Sequence, residues 1–290
     1  STFPLVNALA DDFGGYLSVG QDFNHLTSAD TGNYVFPMGP SATKDIVDGG
    51  STSGGKALMI QSPTGGQVHE GVKLLSFTSD QRAANASATA IVFWMKVDDP
   101  TPPYGSKTQL QMMLGEQHPD NPDNMGPVYF ANYKSFDYTY IDKDKTVTTA
   151  SSPYIAVPGG FEGYVIVSLS VFENHPGYPD ADGQLDPDKL LVASFDLHAS
   201  TAGTSYYFDD IGLTSDIDGL INYLAPYEPY GEFGTVGQEF DSITNEHIGN
   251  YVFPLGPSAV KEIVEGGNKD GGNALKFSSA TGGQVHEGVK

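Results

Sequence analysis

The chain has 290 residues, with 36 Asp and Glu against 14 Lys and Arg, a formal net charge of −22 and no cysteine. That balance argues against nucleic acid, whose binding rests on cationic contacts to phosphate, and against anionic membrane surfaces. Without thiols there is no disulfide framework, thiolate metal site or cysteine nucleophile, and no apolar run is long enough for membrane insertion.

Along the chain, period-two patterns and turn residues dominate. Ser41 to Val47 (SATKDIV) reads as a short turn of helix or a strand. His69 and Glu70 lie in GGQVHEGV, which reads as a strand after a Gly-Gly turn, where a His-Glu pair is expected to be structural. Ala88 to Val97 puts Ile91, Phe93, Met95 and Val97 on one face and Val92, Trp94 and Lys96 on the other. Further β-rich runs are Thr108 to Leu114, Val128 to Tyr133, Phe136 to Ile141, Gly163 to Leu169, Leu190 to Asp196 and Ser205 to Leu213. Between them, Asp99 to Pro103, His118 to Pro127, Pro158 to Gly160 and Pro176 to Pro187 carry turn and loop chemistry. The fold class expected is all-β, an antiparallel two-sheet β-sandwich of jelly-roll type.

A stretch of 54 residues occurs twice: Gly20 to Lys73 and Gly237 to Lys290 align without a gap at an offset of 217, and 34 positions are identical. A period this long is a domain and not a solenoid unit. The organisation expected is a complete module over 1–215, a linker over 216–232 and the opening segment of a second repeat over 233–290. The apolar residues of Asp216 to Glu232 suggest that this linker packs on a neighbour, and the first module is expected to fold without 233–290. Tandem duplication of a large domain is commoner in binding and adhesive surface proteins than in catalytic ones.

Tyrosines are the candidate ligand groups. On alternation Tyr129 and Tyr133 share one face of a strand and Tyr138 and Tyr140 one face of the next; if their apolar neighbours fill the core, they form an outward platform with Gln109 or Gln111 beside it. Sugar rings stack their C–H faces on such aromatics while amides take the hydroxyls; the competing reading is ordinary β-sheet packing. Trp94, the single tryptophan, is a sugar platform or a packing residue. The acidic loop Asp180 to Asp188 superficially suggests an EF-hand, but the ligand positions at its two ends fall on Tyr178 and Lys189, so it reads as an acidic surface turn. No GxSxG, HExxH or P-loop is present.

An early QDF, then GGKAL, IVFWMKV, GFEGYVIVSLSVF and YYFDDIGL resemble the galactose-binding-like jelly rolls that serve as non-catalytic carbohydrate-binding modules, over about Leu17 to Leu213. Related domains recur in large secreted, cellulosome-type or starch-adherence proteins of Gram-positive gut bacteria. The resemblance implies a non-enzymatic polysaccharide binder, for starch or another glucan, at the bacterial cell surface, with other modules of the same polypeptide as neighbours. It implies that Trp94 packs, and that Asp22 and Asp209 or Asp210 hold a structural Ca²⁺. The alternatives are an adhesin or spacer repeat and, third, a glycoside-active enzyme, which needs two carboxylates facing across a cleft.

Overall fold

The computed structural model describes residues 13–52, 54–98, 109–131, 134–177, 182–200, 202–226, 240–267, 272–279 and 282–290. The chain divides into two compact units, Ser1–Pro226 and Tyr227–Lys290.

The first unit is an antiparallel β-sandwich of jelly-roll type, built from β1 (Ser18–Gln21), β2 (Val35–Pro37), β3 (Thr43–Asp48), β4 (Lys56–Gln61), β5 (Gly66–Lys73), β6 (Ala90–Val97), β7 (Leu110–His118), β8 (Asn121–Ala131), β9 (Phe136–Asp142), β10 (Val147–Ser152), β11 (Glu162–Ser168), β12 (Phe172–Asn174), β13 (Leu190–Ser200) and β14 (Ser205–Thr214). One sheet has the order β10-β9-β11-β6-β14-β4-β3, with β1 also on β14; the other runs β12-β8-β7-β13-β5-β2. Short helices α1 (Thr31–Tyr34) and α2 (Ser79–Asn85) lie in the connections, the second capped by Thr78, which accepts from Gln81 N–H at 3.2 Å.

Alternation places the core. Ile91, Phe93 and Met95 of β6 meet Met112 and Leu114 of β7 and Phe195 of β13 between the sheets. Phe195 stacks on Phe208 with ring centroids 4.1 Å apart. The opposite face of β6 is also covered: Ala90 and Val92 join Phe13, Leu17, Val19, Ile141, Ile166 and Leu220 in a second apolar cluster. Leu220 comes from α3 (Ile217–Leu224), which Asp216 caps by accepting Gly219 N–H at 2.8 Å. The segment 216–232, expected to link two modules, thus opens with a helix belonging to the first unit, because its apolar residues cover a sheet face that would otherwise meet water.

One open reading is decided and one local expectation changes. Ser41 to Val47 resolves as strand, β3, because Ile46 faces the core from a sheet position paired with Leu58. The run His118 to Pro127 is not a loop: the hairpin turns tightly between His118 and Asn121, and β8 continues through Pro122 and Pro127. The β7–β8 register shifts there, and a bulged ladder tolerates residues that lack an N–H.

In the second unit β15 (Val252–Pro254) pairs with β18 (Glu287–Val289), and β16 (Val260–Glu265) with β17 (Asn273–Ser278). Val252 faces Val289 and Ile263 faces Leu275, as Val35 faces Val72 and Ile46 faces Leu58 at the offset of 217.

Candidate functional site

The outer face of the six-stranded sheet carries two unlike rows of side chains, set by register. In one, Phe130 of β8 lies across from Met113 of β7, Met113 from Ser194 of β13, Ser194 from Gly71 of β5, and Gly71 from Phe36 of β2. Phe36 and Met38 close over Gly71: a Cβ there would stand 2.8 Å from Phe36 Cζ and 2.9 Å from Met38 Sδ, so a side chain at 71 would push both aside. In the second row, Gln111 faces Asp196 and Asp196 faces His69. A row of apolar side chains, interrupted by Ser194, therefore runs beside a polar one, and Ser194 joins the two.

The polar row has a buried floor and an accessible layer. Gln111, Ser194, Asp196 and His69 are buried, whereas Gln67 is exposed and His198 and Tyr154 are half-buried. Asp196 accepts from Gln67 Nε2 at 3.0 and 3.1 Å, and its Oδ2 stands 3.1 Å from His198 Nε2. Gln111 donates Nε2–H to the Ala131 carbonyl at 2.7 Å, so its Oε1 is an acceptor, 3.0 Å from the same His198 nitrogen. Facing two acceptors, His198 Nε2 carries the proton. The Tyr154 ring lies 5.2 Å from that of His198, and Phe130 meets His175 edge-on at 5.3 Å.

Beneath this layer His69 Nε2 lies 3.0 Å from Ser194 Oγ, while its Nδ1 is 3.9 Å from Asp196 Oδ2. Burial, with His198 and His175 nearby, holds the ring below its ordinary pKa against the opposing pull of Asp196 and Glu70. Ser, His and Asp in this sequence of contacts suggest nucleophilic catalysis, but the geometry does not fit it. Ser194 is fully buried, its Oγ accepts the Met113 N–H at 3.2 Å, and the His69–Asp196 separation is too long for a hydrogen bond. The arrangement is suited to holding Gln67 and His198 in fixed orientations. His69 and Glu70 do not pair with each other, since neighbours on a strand face opposite ways; Glu70 turns inward to Lys44.

The tyrosine platform does not form as alternation suggested. Tyr129 and Tyr138 are 1% and 3% exposed and point into the core. Their hydroxyls reach its rim: Tyr129 donates to the Gln184 carbonyl at 2.7 Å and Tyr138 to the Ala156 carbonyl at 3.0 Å. The reason is that β8 and β9 present these rings, not their apolar neighbours, to the space between the sheets. Tyr140 is half-buried and stacks on Tyr138 at 6.4 Å; Tyr133 lies outside the described residues. Trp94 is buried, paired across strands with Tyr164 and Asp209. Gln111 does sit on the outer face, and Gln109 contributes its carbonyl, which accepts His198 N–H at 2.9 Å. The polar residues of Ser194-Phe-Asp-Leu-His198 alternate with core residues in a strand, and that was the missed signal of a built polar face.

The acids of YYFDDIGL occupy a bulge: the β14 register shifts between Asp209 and Gly212, and Asp210 has φ of 45°, left-handed for a non-glycine residue. Asp209 Oδ2 accepts Ser51 N–H at 2.8 Å, and Asp210 Oδ2 accepts from Tyr164 Oη at 2.9 Å and from Ser51 Oγ. Burial, with Asp210 adjacent, pushes Asp209 up to about 9. Gly50 packs so closely that a Cβ would lie 2.3 Å from Asp209 Oδ2 and 2.4 Å from the Lys56 carbonyl. Asp22 accepts from Asn24 through both oxygens, at 3.1 and 3.0 Å. Among the described residues, no three acidic or histidine side chains gather into a metal-binding group. The hard oxygens of Asp209 and Asp210 suit Ca²⁺, but Asp22 is not part of one cluster with them. Of the loop 180–188, Asp180 and Ala181 lie outside the described residues; Asp182 is exposed and accepts from Tyr129 Oη at 3.2 Å.

No family profile matches the chain, and no curated protein matches it. Among solved structures, the family 11 carbohydrate-binding module of the cellulosomal cellulase Lic26A-Cel5E of Clostridium thermocellum is similar at 15% identity over 68% of this chain and 94% of that chain, with a TM-score of 0.39. The family 30 module of the cellulosomal cellulase Cel9D-Cel44B from the same organism shows 12% identity over 64% and 92%, with a TM-score of 0.35. The CBM22-2 xylan-binding domain of Paenibacillus barcinonensis Xyn10C shows 11% over 67% and 96%, with a TM-score of 0.30. At these identities and TM-scores no property of those proteins transfers to this chain.

Proposed function

We propose that the first unit is a non-catalytic polysaccharide-binding module of an extracellular, multidomain bacterial protein, and that its site is the outer face of the six-stranded sheet. One observation carries the reading: the apolar row Phe130, Met113 and Phe36 runs beside the polar row Gln111, Asp196 and His69, topped by Gln67 and His198. A sugar ring has an apolar face and a hydroxyl rim, and this pairing meets both at once. Starch or another glucan is the proposed ligand, since a chain of net charge −22 disfavours acidic polymers. Single-site affinity is weak, and repetition of modules raises it through effective concentration. Asp209 and Asp210 would hold a structural Ca²⁺, whose charge would offset that of two adjacent, largely desolvated carboxylates.

The test is affinity electrophoresis of the whole chain through gels containing starch, xylan, β-glucan, galactomannan or pectin, each with and without EDTA. Retardation by a neutral polymer that persists in EDTA supports a glycan module with calcium in a structural role. Equal mobility in every gel overturns the reading and favours an adhesin or spacer.

A further inference from the structure

Asp196 is shared. Both of its oxygens accept from Gln67, and Oδ2 also faces His198 at 3.1 Å and His69 Nδ1 at 3.9 Å. The two imidazoles differ in setting: the His198 side chain is 24% exposed and belongs to the layer a ligand would meet, whereas that of His69 is 6% exposed and lies beneath it. We infer that His69 is a positioning residue that switches the face off in acid: when its ring becomes charged it draws Asp196 Oδ2 away from His198, and the accessible layer loses its set orientation. The inference rests on the proposed binding role of this face.

The physical step is a competition for one oxygen. A neutral His69 is satisfied by Ser194 at 3.0 Å and leaves Asp196 to Gln67 and His198. A doubly protonated ring is a donor at both nitrogens and brings a positive charge to 3.9 Å from Oδ2 inside a buried site, where attraction is much stronger than in water. The groups bearing on His69 are Asp196 and His198 of β13, Glu70 of its own strand and His175 beyond β12. Burial dominates and holds the ring neutral until pH falls below the ordinary histidine value of 6.5. Charging the ring takes up one proton from hydronium, which leaves as water, and raising the pH returns it, so the switch is reversible.

The experiment compares the full chain with its His69→Gln variant in gels containing the retained polymer, from about pH 7.5 to about pH 4.5. Glutamine keeps a polar group toward Ser194 and cannot be charged. Wild-type retention is expected to drop at least about threefold further across the window than that of His69→Gln, in which His198 is the remaining imidazole of the row; parallel profiles overturn the switch. A second readout needs no ligand: the Gln67 side-chain amide of the wild type, followed by NMR, is expected to shift with the same midpoint as the His69 ring. An amide that ignores the ring overturns the inference, even if the variant fails to fold. If no polymer is retained at any pH, the binding role falls, and the coupled movement of Gln67 and His69 alone decides whether the rearrangement exists.

Discussion

Lys44 Nζ stands 2.9 Å from Glu70 Oε2, and Lys261 Nζ stands 2.8 Å from Glu287 Oε2 at the same offset of 217. Each carboxylate also accepts a backbone N–H, from Ala42 at 2.8 Å and from Ala259 at 2.6 Å, and a serine hydroxyl, from Ser41 at 3.1 Å and Ser258 at 3.0 Å. In the first unit this pair joins β3 of one sheet to β5 of the other. Its carboxylate side chain is fully buried. Lys44→Met leaves that charge without its counter-ion and is expected to cost about 3 kcal/mol in urea unfolding. Glu70→Gln, which keeps an acceptor for Ala42 and Ser41, is expected to cost less.

Glu116 gives the fold a pH dependence of its own. It is 4% exposed, accepts Asp186 N–H at 2.6 Å, and is pushed by burial, with Asp186 and Asp182 nearby, from 4.5 up to about 7. An acid raised in the folded state binds more protons folded than unfolded, so it favours folding most at low pH and loses that advantage as pH rises through about 4.5 to 7. Glu116→Gln is expected to be more stable than wild type by about 1 kcal/mol at about pH 8, after allowing for screening, and no more stable at about pH 4. Thermal melts at the two pH values measure the difference.

The proposed binding face and the expected tyrosine platform separate by mutation. Phe130→Ala is expected to cut polymer retention about tenfold, equivalent to about 1.4 kcal/mol. Tyr129→Phe is expected to leave retention unchanged and to lower stability by about 1 kcal/mol through loss of its hydrogen bond to Gln184.

Calcium at about 1 mM is expected to raise the melting temperature by several degrees over EDTA, as a ligand of the folded state alone must. The gain is expected to vanish in a chain carrying Asp209→Ala and Asp210→Ala.

Leu220→Ala is expected to cost about 3 kcal/mol, because its fully buried side chain joins α3 to the outer face of β6. A chain ending at 226 is expected to keep one cooperative melt, and a chain ending at 215 to melt lower.

Strand identity was legible because β6, β11 and β14 alternate in period two with buried aromatics and β-branched residues. What alternation does not reveal is which face meets the core when both are apolar or aromatic. In Val128-Tyr-Phe130 the rule permits either ring inside; Tyr129 goes in because its hydroxyl finds the Gln184 carbonyl at the rim. Phe130 is left outside. The polar face was hidden for another reason: Gln111, Asp196 and His69 lie on three strands separated by long stretches of sequence. Only pairing register makes them one row.

The position of α3 bears on how the first unit would respond to tension. β1 and β14 run antiparallel, Ser18 beside Leu213, so the chain enters and leaves the first unit at one end of that pair. Tension drawn through both ends would peel this ladder one hydrogen bond at a time, the weakest direction for a sheet. Phe13 and Leu17 on the entering segment and Leu220 on the leaving one are packed in one cluster at that point. Under such tension that clasp would have to part before the ladder could peel.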